Sequence, residues 1–202
     1  MNLTAPDLMQ LAVTARPTQG AIVAAAAQVF VELGYADARV EDILQRAGIA
    51  RRTFYKYFRS KEDVLRTLYE LGTSELVRAI GSAAAEASDP LDGIRFGLDV
   101  YLDAHVSSGP LMRVLIEQAM RMDSELAPLR RRFRDDLVHL MGDAVQHSTG
   151  QKHDPMLYLA LISALESISL ELCSTGAKKR DVARAKKVFH DLLSRVTGAK
   201  AP

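Results

Sequence analysis

Apolar residues recur along this chain at spacings of three and four, the period of a helix with one buried face. The stripe Ile22, Ala25, Ala26, Val29, Phe30 and Leu33 predicts a first helix over residues 18–33. Thr18 is its N-cap, and Gly34 stands where a left-handed residue ends a helix. A short helix over 40–47 carries Val40, Ile43, Leu44 and Ala47 on one face. Gly48 stops it, and a third helix runs to about Phe58 with Phe54 and Phe58 four apart on a buried side. Ser60, followed by Glu62 and Asp63, starts a long fourth helix over 61–85. Beyond Asp89-Pro90 the pattern predicts five more helices, over 91–106, 111–122, 124–147, 154–174 and 179–197. The fold class is therefore all-α, with about nine helices. A mobile arm over 1–17 precedes a three-helix unit over 18–60, which the long fourth helix joins to a helical bundle over 61–202.

Composition narrows the classes. With 48% hydrophobic and 25% charged residues the chain can bury a core and is not a disordered tail. No 18-residue run is free of charge, which argues against a membrane span. The first residues lack the basic-then-apolar order of a secretory signal, and the single Cys173 suits a reducing compartment. A cytoplasmic location is expected. The sequence has no phosphate-binding glycine loop, no His-Glu-x-x-His and no Gly-x-Ser-x-Gly, and its five histidines show no metal-ligand spacing. Neither catalysis, a cofactor nor a metal is expected.

The net charge of +1 is uninformative, but its distribution is not. Residues 39–61 hold seven bases (Arg39, Arg46, Arg51, Arg52, Lys56, Arg59, Lys61) and two acids (Glu41, Asp42), an electrostatic footprint on one short stretch. Basic clusters at 130–134 and 178–187 lie among acids or on amphipathic helices and read as solvated faces. Three short helices with a glycine turn between the second and third match a helix-turn-helix, whose last helix enters the major groove. Opposite Phe54 and Phe58 stand Arg52 and Lys56, flanked by Thr53, Tyr55 and Arg59. Arginine grips the guanine edge through two hydrogen bonds and lysine reaches the same acceptors, whereas tyrosine and threonine hydroxyls suit phosphates.

Ala25-Ala26, Phe30, Gly34-Tyr35, Val40, Ile43, Ala47-Gly48-Ile49, Thr53-Phe54-Tyr55-Lys56-Tyr57-Phe58 and Lys61-Glu62 together resemble the DNA-binding domain of the TetR family. The resemblance covers residues 18–65. It implies a homodimer, an effector-binding core and, most commonly, repression relieved by a small ligand. It also implies that Arg51, Arg52, Tyr55 and Lys56 meet bases or the groove wall, and that Thr53, Tyr57 and Lys61 meet phosphates. Arg39 stands where that family usually has a capping threonine or serine, and Ala50 replaces a common serine. A lost cap costs about 1 kcal/mol, and Arg39 is expected to compensate by gripping a phosphate.

In the predicted helix over 154–174, Leu157, Leu161, Leu165 and Ile168 form one stripe while other apolar residues cover further sides, and Glu166 and Glu171 carry the charge. A helix apolar on more than one face needs more than one cover. Phe189 and Leu192 lie on the stripe of the last helix. These two helices are expected to form a four-helix dimer interface; the alternative is that both pack only into their own core. Candidate ligand contacts are Tyr101, His105, Met112, Leu115, Gln118 and Met122, polar and adaptable groups on otherwise apolar stripes. They serve either a ligand or neighbouring helices.

The expected function is a homodimeric transcriptional repressor on a pseudo-palindromic double-stranded operator, released by a small, mostly apolar effector, with no membrane partner. The alternative is an architectural or partner-regulated DNA-binding protein without an effector, for which the core needs no cavity.

Overall fold

The computed structural model describes residues 17–198; the arm predicted over 1–17 lies outside them but for Pro17. Among the described residues there are eight helices and no strand: α1 (Pro17–Leu33), α2 (Val40–Ala47), α3 (Arg51–Tyr57), α4 (Lys61–Ala85), α5 (Pro90–Met120), α6 (Ala127–Thr149), α7 (Pro155–Thr175) and α8 (Lys179–Thr197). The two helices expected over 91–106 and 111–122 both form and meet at a sharp kink within α5. Gly109 leaves helical geometry (φ 18°, ψ −94°) just before Pro110, so α5 kinks there without ending.

Side-chain caps set three of the starts. Ser60 Oγ accepts from the Asp63 N–H at 3.4 Å, Asp89 from Leu91 N–H at 2.7 Å and Asp154 from Met156 N–H at 2.8 Å. At α2 the residue in the cap position is Arg39, whose guanidinium cannot accept a hydrogen bond. Half of the motif survives, because the Asp42 carboxylate reaches back to the Arg39 N–H at 2.8 Å. Gly48 closes α2 at φ 64°, a left-handed conformation that suits glycine, and turns the chain into α3.

Two apolar clusters hold the fold. One gathers Ile22, Phe30, Ile43, Phe54 and Phe58 with Val64, Leu65, Leu68 and Tyr69 of α4 and with Leu111, Leu115 and Ala119 of α5. The other fills the bundle with Leu76 and Ile80 of α4, Leu98, Tyr101 and Leu102 of α5, Phe133 and Leu137 of α6, Ile162 and Leu165 of α7, and Phe189 of α8. Helix α5 is the hub, touching α1, α4, α6, α7 and α8. Its part before the kink belongs to the bundle and its part after the kink packs under the first three helices.

Candidate nucleic-acid interface and core cavity

Phe54 is fully buried and Phe58 nearly so, with ring centres 5.9 Å apart, and they fix which side of α3 faces outward. Arg52, Tyr55 and Lys56 are exposed on that outer side, while Thr53 and Tyr57 are half-buried at its edges. Tyr55 meets the Phe54 ring edge-on at 5.4 Å, which holds the phenol at a defined angle. Lys56 Nζ stands 5.6 Å from the Tyr57 ring centre, and neither Lys56 nor Arg52 makes an ion pair among the described residues. Their donors therefore face solvent.

The other basic residues of this stretch differ. Arg46 is bound to Glu32 and Gln28, tying α2 to α1. Arg51 pairs with Glu41 across α2 and α3; both are exposed, and such a pair is worth about 0–1 kcal/mol, so a phosphate or guanine can replace the carboxylate. Arg39 is exposed and its guanidinium makes no ion pair among the described residues. Lys61 departs from its expected phosphate role. Its ammonium donates to the carbonyls of Tyr35 (2.8 Å), Ala36 (3.2 Å) and Ala38 (2.8 Å) and lies 4.6 Å from the Tyr35 ring centre. An ammonium has three donors, so Lys61 is occupied in clamping the α1–α2 loop to α4. Burial, and then the nearby Glu62 carboxylate, push the Tyr35 phenol far above its ordinary range, so this clamp is neutral on the tyrosine side.

Inside the bundle, α4, α5, α6 and α7 enclose a cavity of about 40 Å³. Tyr101, His105, Met112 and Leu115 line it, joined by Tyr69, Thr73, Arg130, Phe133 and Glu166. Gln118 and Met122 do not. Gln118 faces a cleft on the outside of α5 beside Tyr35, Glu62 and Arg121, and Met122 is 93% exposed in the turn after that helix. On this part of α5 the cavity is lined by Met112, Leu115, Ile116 and Ala119, and Gln118 falls to one side of that row, while the helix ends at Met120, before Met122.

The polar wall was read differently in the sequence. Arg130 is not on a solvated face: its Nε donates to Glu166 Oε1 at 3.1 Å and its Nη2 to Glu166 Oε2 at 2.5 Å. Arg134 approaches the same carboxylate at 3.7 Å and donates to Ser163 Oγ at 2.5 Å. Two guanidinium groups thus share one carboxylate that is itself almost fully buried, and the cluster carries a net positive charge. The signal that finds it is Glu166, an acid set among apolar neighbours of α7, which needs a buried partner.

The opposite wall is aromatic. His105 Nδ1–H donates to the Tyr101 carbonyl at 2.7 Å, which leaves Nε2 as the acceptor of the neutral ring. Burial lowers the His105 pKa to about 4, so the ring is neutral at physiological pH. Burial raises both the Tyr69 and Tyr101 phenols well above their usual range, and neither hydroxyl makes a hydrogen bond among the described residues. The cavity thus offers unused phenol donors, an imidazole acceptor and the outer N–H groups of Arg130.

The expected dimer stripe also divides. Leu157, Leu161 and Ile168 are half-buried and Leu192 is 37% exposed, but Leu165 and Phe189 are 2% and 1% exposed in the protomer's own core. Those two cannot present surface to a second copy. On the outer side of α7 and α8, Met156 and Val188 are exposed instead.

Comparison with known proteins places this geometry among others. Residues 22–68 match the family model described as bacterial regulatory proteins, tetR family. The HTH-type transcriptional regulator EthR of Mycobacterium tuberculosis is 35% identical over 127 residues, 59% of this chain and 58% of EthR. The HTH-type transcriptional regulator BetI of Stenotrophomonas maltophilia is 30% identical over 133 residues, 62% of this chain and 68% of BetI. The chain spans about 60% of the length of the mycobacterial relatives it matches. The crystal structure of the regulator FadR from Bacillus subtilis in complex with stearoyl-CoA has the same fold, with a TM-score of 0.75 at 18% identity over 86% of this chain and 97% of FadR.

Proposed function

The chain belongs to the TetR family of bacterial regulatory proteins, and on that premise we propose that it is a transcriptional repressor that binds a pseudo-palindromic operator as a homodimer and is released by a small, mostly apolar ligand. The observation that carries the DNA-binding reading is the outer face of α3, where Arg52 and Lys56 lie free of ion pairs opposite the buried Phe54 and Phe58. Arg51, Tyr55, Thr53, Tyr57 and Arg39 flank them and supply groove-wall and phosphate contacts. In this reading residues 18–60 bind DNA and residues 61–202 hold ligand and partner.

Homodimerisation is supported by the uncovered side of α7 and α8. Helix α7 is long and apolar enough to cross a membrane by length and composition, yet its Glu166 is paired with Arg130 and Arg134 inside the bundle. On the side of α7 away from its own core Met156 and Ala160 are exposed, a face that a second copy would cover. Met156, Val188 and Leu192 are exposed there, with Leu157 half-buried beside them, while Leu161 and Ile168 are half-buried against the protomer's own core and would lie at the edge of such an interface.

Effector control is supported by the cavity and by what its walls touch. Leu115, Ala119 and Tyr69 line the cavity and also belong to the cluster that contains Phe30 and Phe54. A ligand that swells the cavity displaces the part of α5 after the Gly109–Pro110 kink together with the start of α4, and α1 moves with them. The shift in DNA-competent population equals the ligand's differential affinity for the two arrangements. The cavity is small, so an effector must part α4, α5, α6 and α7 to enter, and that parting is what would couple it to α1. Stearoyl-CoA on FadR, an apolar chain with a polar head, is of the class that these walls suit.

Binding-site selection from random DNA, repeated with Arg52→Ala and Lys56→Ala, tests the proposal. Wild type is expected to recover an inverted repeat with half-sites about 34–36 Å apart or a multiple of that. Each variant is expected to lose roughly 1–3 kcal/mol of specific affinity. Selection of no common site, or wild-type affinity in both variants, rejects it.

A further inference from the structure

A second cavity lies behind the first. It measures about 70 Å³ and is lined by Ile80 and Ala84 of α4, Gly93 and Gly97 of α5, Ala144 of α6 and Ile162 of α7, with no charged side chain on its wall. Tyr101 is the one residue that lines both cavities.

The helical rows explain the arrangement. Positions 93, 97, 101 and 105 of α5 follow one another every four residues, so they form a single row along the helix. The row spans twelve residues, roughly 18 Å of axis at 1.5 Å per residue. Its first two members have no side chain, its third is the Tyr101 ring and its fourth is His105. The glycines also let α5 approach α4 closely: a Cβ on Gly97 would stand 3.0 Å from Ile80 Cγ2. Facing this row, α4 offers Ala84 and Ile80 to the far cavity and Leu76, Thr73 and Tyr69 to the near one. Both cavities therefore occupy one seam among the same four helices, and the Tyr101 ring divides it.

The division is fastened by packing and not by hydrogen bonds. Tyr101 is 3% exposed and lines both cavities, and its hydroxyl makes no hydrogen bond among the described residues. The ring rests on His105, centres 3.9 Å apart. Turning it about χ1 gives up the stack on His105 and packing within the bundle cluster, but breaks no hydrogen bond, and a ligand tail in the far cavity would replace that packing.

We propose that Tyr101 is a movable partition that sets the length of the effector: the polar head lies by Arg130 and Glu166, and an unbranched apolar tail turns the ring aside and enters the chamber beside Gly93 and Gly97. The assignment rests on the effector reading of the core. It names a ligand class, a linear amphiphile, and one residue that discriminates among its members.

Calorimetric titration of the full chain with straight-chain saturated fatty acids of graded length, from hexanoate to palmitate, tests it. Binding by wild type is expected to strengthen with length, stall at the acid whose tail meets Tyr101, and strengthen again beyond it. Tyr101→Ala is expected to remove the stall, with affinity rising about fourfold per methylene throughout, the equivalent of ~0.8 kcal/mol per buried CH₂. Tyr101→Phe keeps the ring and is expected to keep the stall. Ala144→Leu fills the far chamber and is expected to hold short acids like wild type while losing the later rise. If Tyr101→Ala does not melt cooperatively, Ala144→Leu carries the test alone. Unchanged length profiles in the Ala and Leu variants overturn the partition while leaving the effector site standing. Absence of binding by every acid to wild type and to Tyr101→Ala overturns both.

Discussion

His105 lies almost flat on Tyr101, with ring planes inclined by 22°, and returns its Nδ1–H to the Tyr101 carbonyl one turn earlier. The contact fixes the tautomer, buries the imidazole in its neutral form and aims the acceptor Nε2 away from the helix backbone. A histidine buried neutral is also a proton-linked element of stability.

That linkage has a definite sign. The unfolded histidine has a pKa near 6.5 and the folded one about 4, so between these values the unfolded chain binds more protons. Stability contributed by His105 is complete above pH 6.5 and is lost as pH falls toward 4, on the order of 3 kcal/mol in total at 1.36 kcal/mol per pKa unit. His105→Gln keeps a donor for the Tyr101 carbonyl and cannot titrate. Urea unfolding at pH 7 and pH 5 is expected to show a smaller stability difference in this variant than in wild type, by about 2 kcal/mol. Equal differences would show that His105 is not buried neutral.

Arg130, Arg134 and Glu166 form a second buried unit, and here the order of substitution matters. Glu166→Leu leaves two guanidinium groups without their carboxylate and is expected to destabilise by about 3–5 kcal/mol. Replacing Arg130 and Glu166 together with leucine leaves Arg134 with Ser163 alone and is expected to cost less than Glu166→Leu by itself. Denaturation midpoints of the two variants check this, and a double variant no more stable than the single one rejects the coupling.

Much of this was legible in the residues, and the failures have physical reasons. Phe54 and Phe58 at one helical spacing fix the inward side of α3 and so its outward side, which is why Arg52 and Lys56 fall where the pattern puts them. The periodicity of 91–105 is likewise local, and it brings Tyr101 and His105 to the cavity. The row through Gln118 and Met122 fails because the cavity lies against the neighbouring row of Met112, Ile116 and Ala119, and because the helix ends at Met120, which apolar spacing alone does not reveal. Arg130 was illegible on its own helix because its partner is thirty-six residues away on α7. Leu165 and Phe189 fail for another reason: helical spacing separates apolar from polar sides, but it does not separate a protomer's core from its interface.

That last distinction is measurable. Leu165→Glu and Phe189→Glu place a carboxylate in the closed core and are expected to unfold the protomer, with loss of the cooperative melt. Leu192→Glu and Val188→Glu change exposed positions of α8 and are expected to leave helicity intact while shifting the dimer to monomer. Circular dichroism and light scattering on all four separate the cases. A folded dimer in both α8 surface variants would exclude this face as the interface.

Lys61 and Arg39 provide the sharpest contrast within the basic stretch, since both are cations of the helix-turn-helix region and only Arg39 has its charge unspent. The Lys61 ammonium is enclosed by three carbonyl oxygens of the α1–α2 loop and the Tyr35 ring, so it holds Tyr35, Ala36 and Ala38 to the start of α4. Lys61→Met keeps the stem and removes the donors. Net hydrogen bonds to a charged group are worth about 1.5–3 kcal/mol each when made in isolation, and in this half-exposed setting a total loss of about 2 kcal/mol in unfolding free energy is expected. The salt dependence of operator binding should stay as in wild type, because no phosphate contact is removed. Arg39→Ala should do the reverse, leaving stability near wild type and reducing the slope of log K against log salt by about one. The two readouts are independent, so each residue is judged twice. A Lys61→Met variant with wild-type stability and a shallower salt slope would return that lysine to the phosphate backbone, and the three carbonyl contacts would then belong to the DNA-free protein alone.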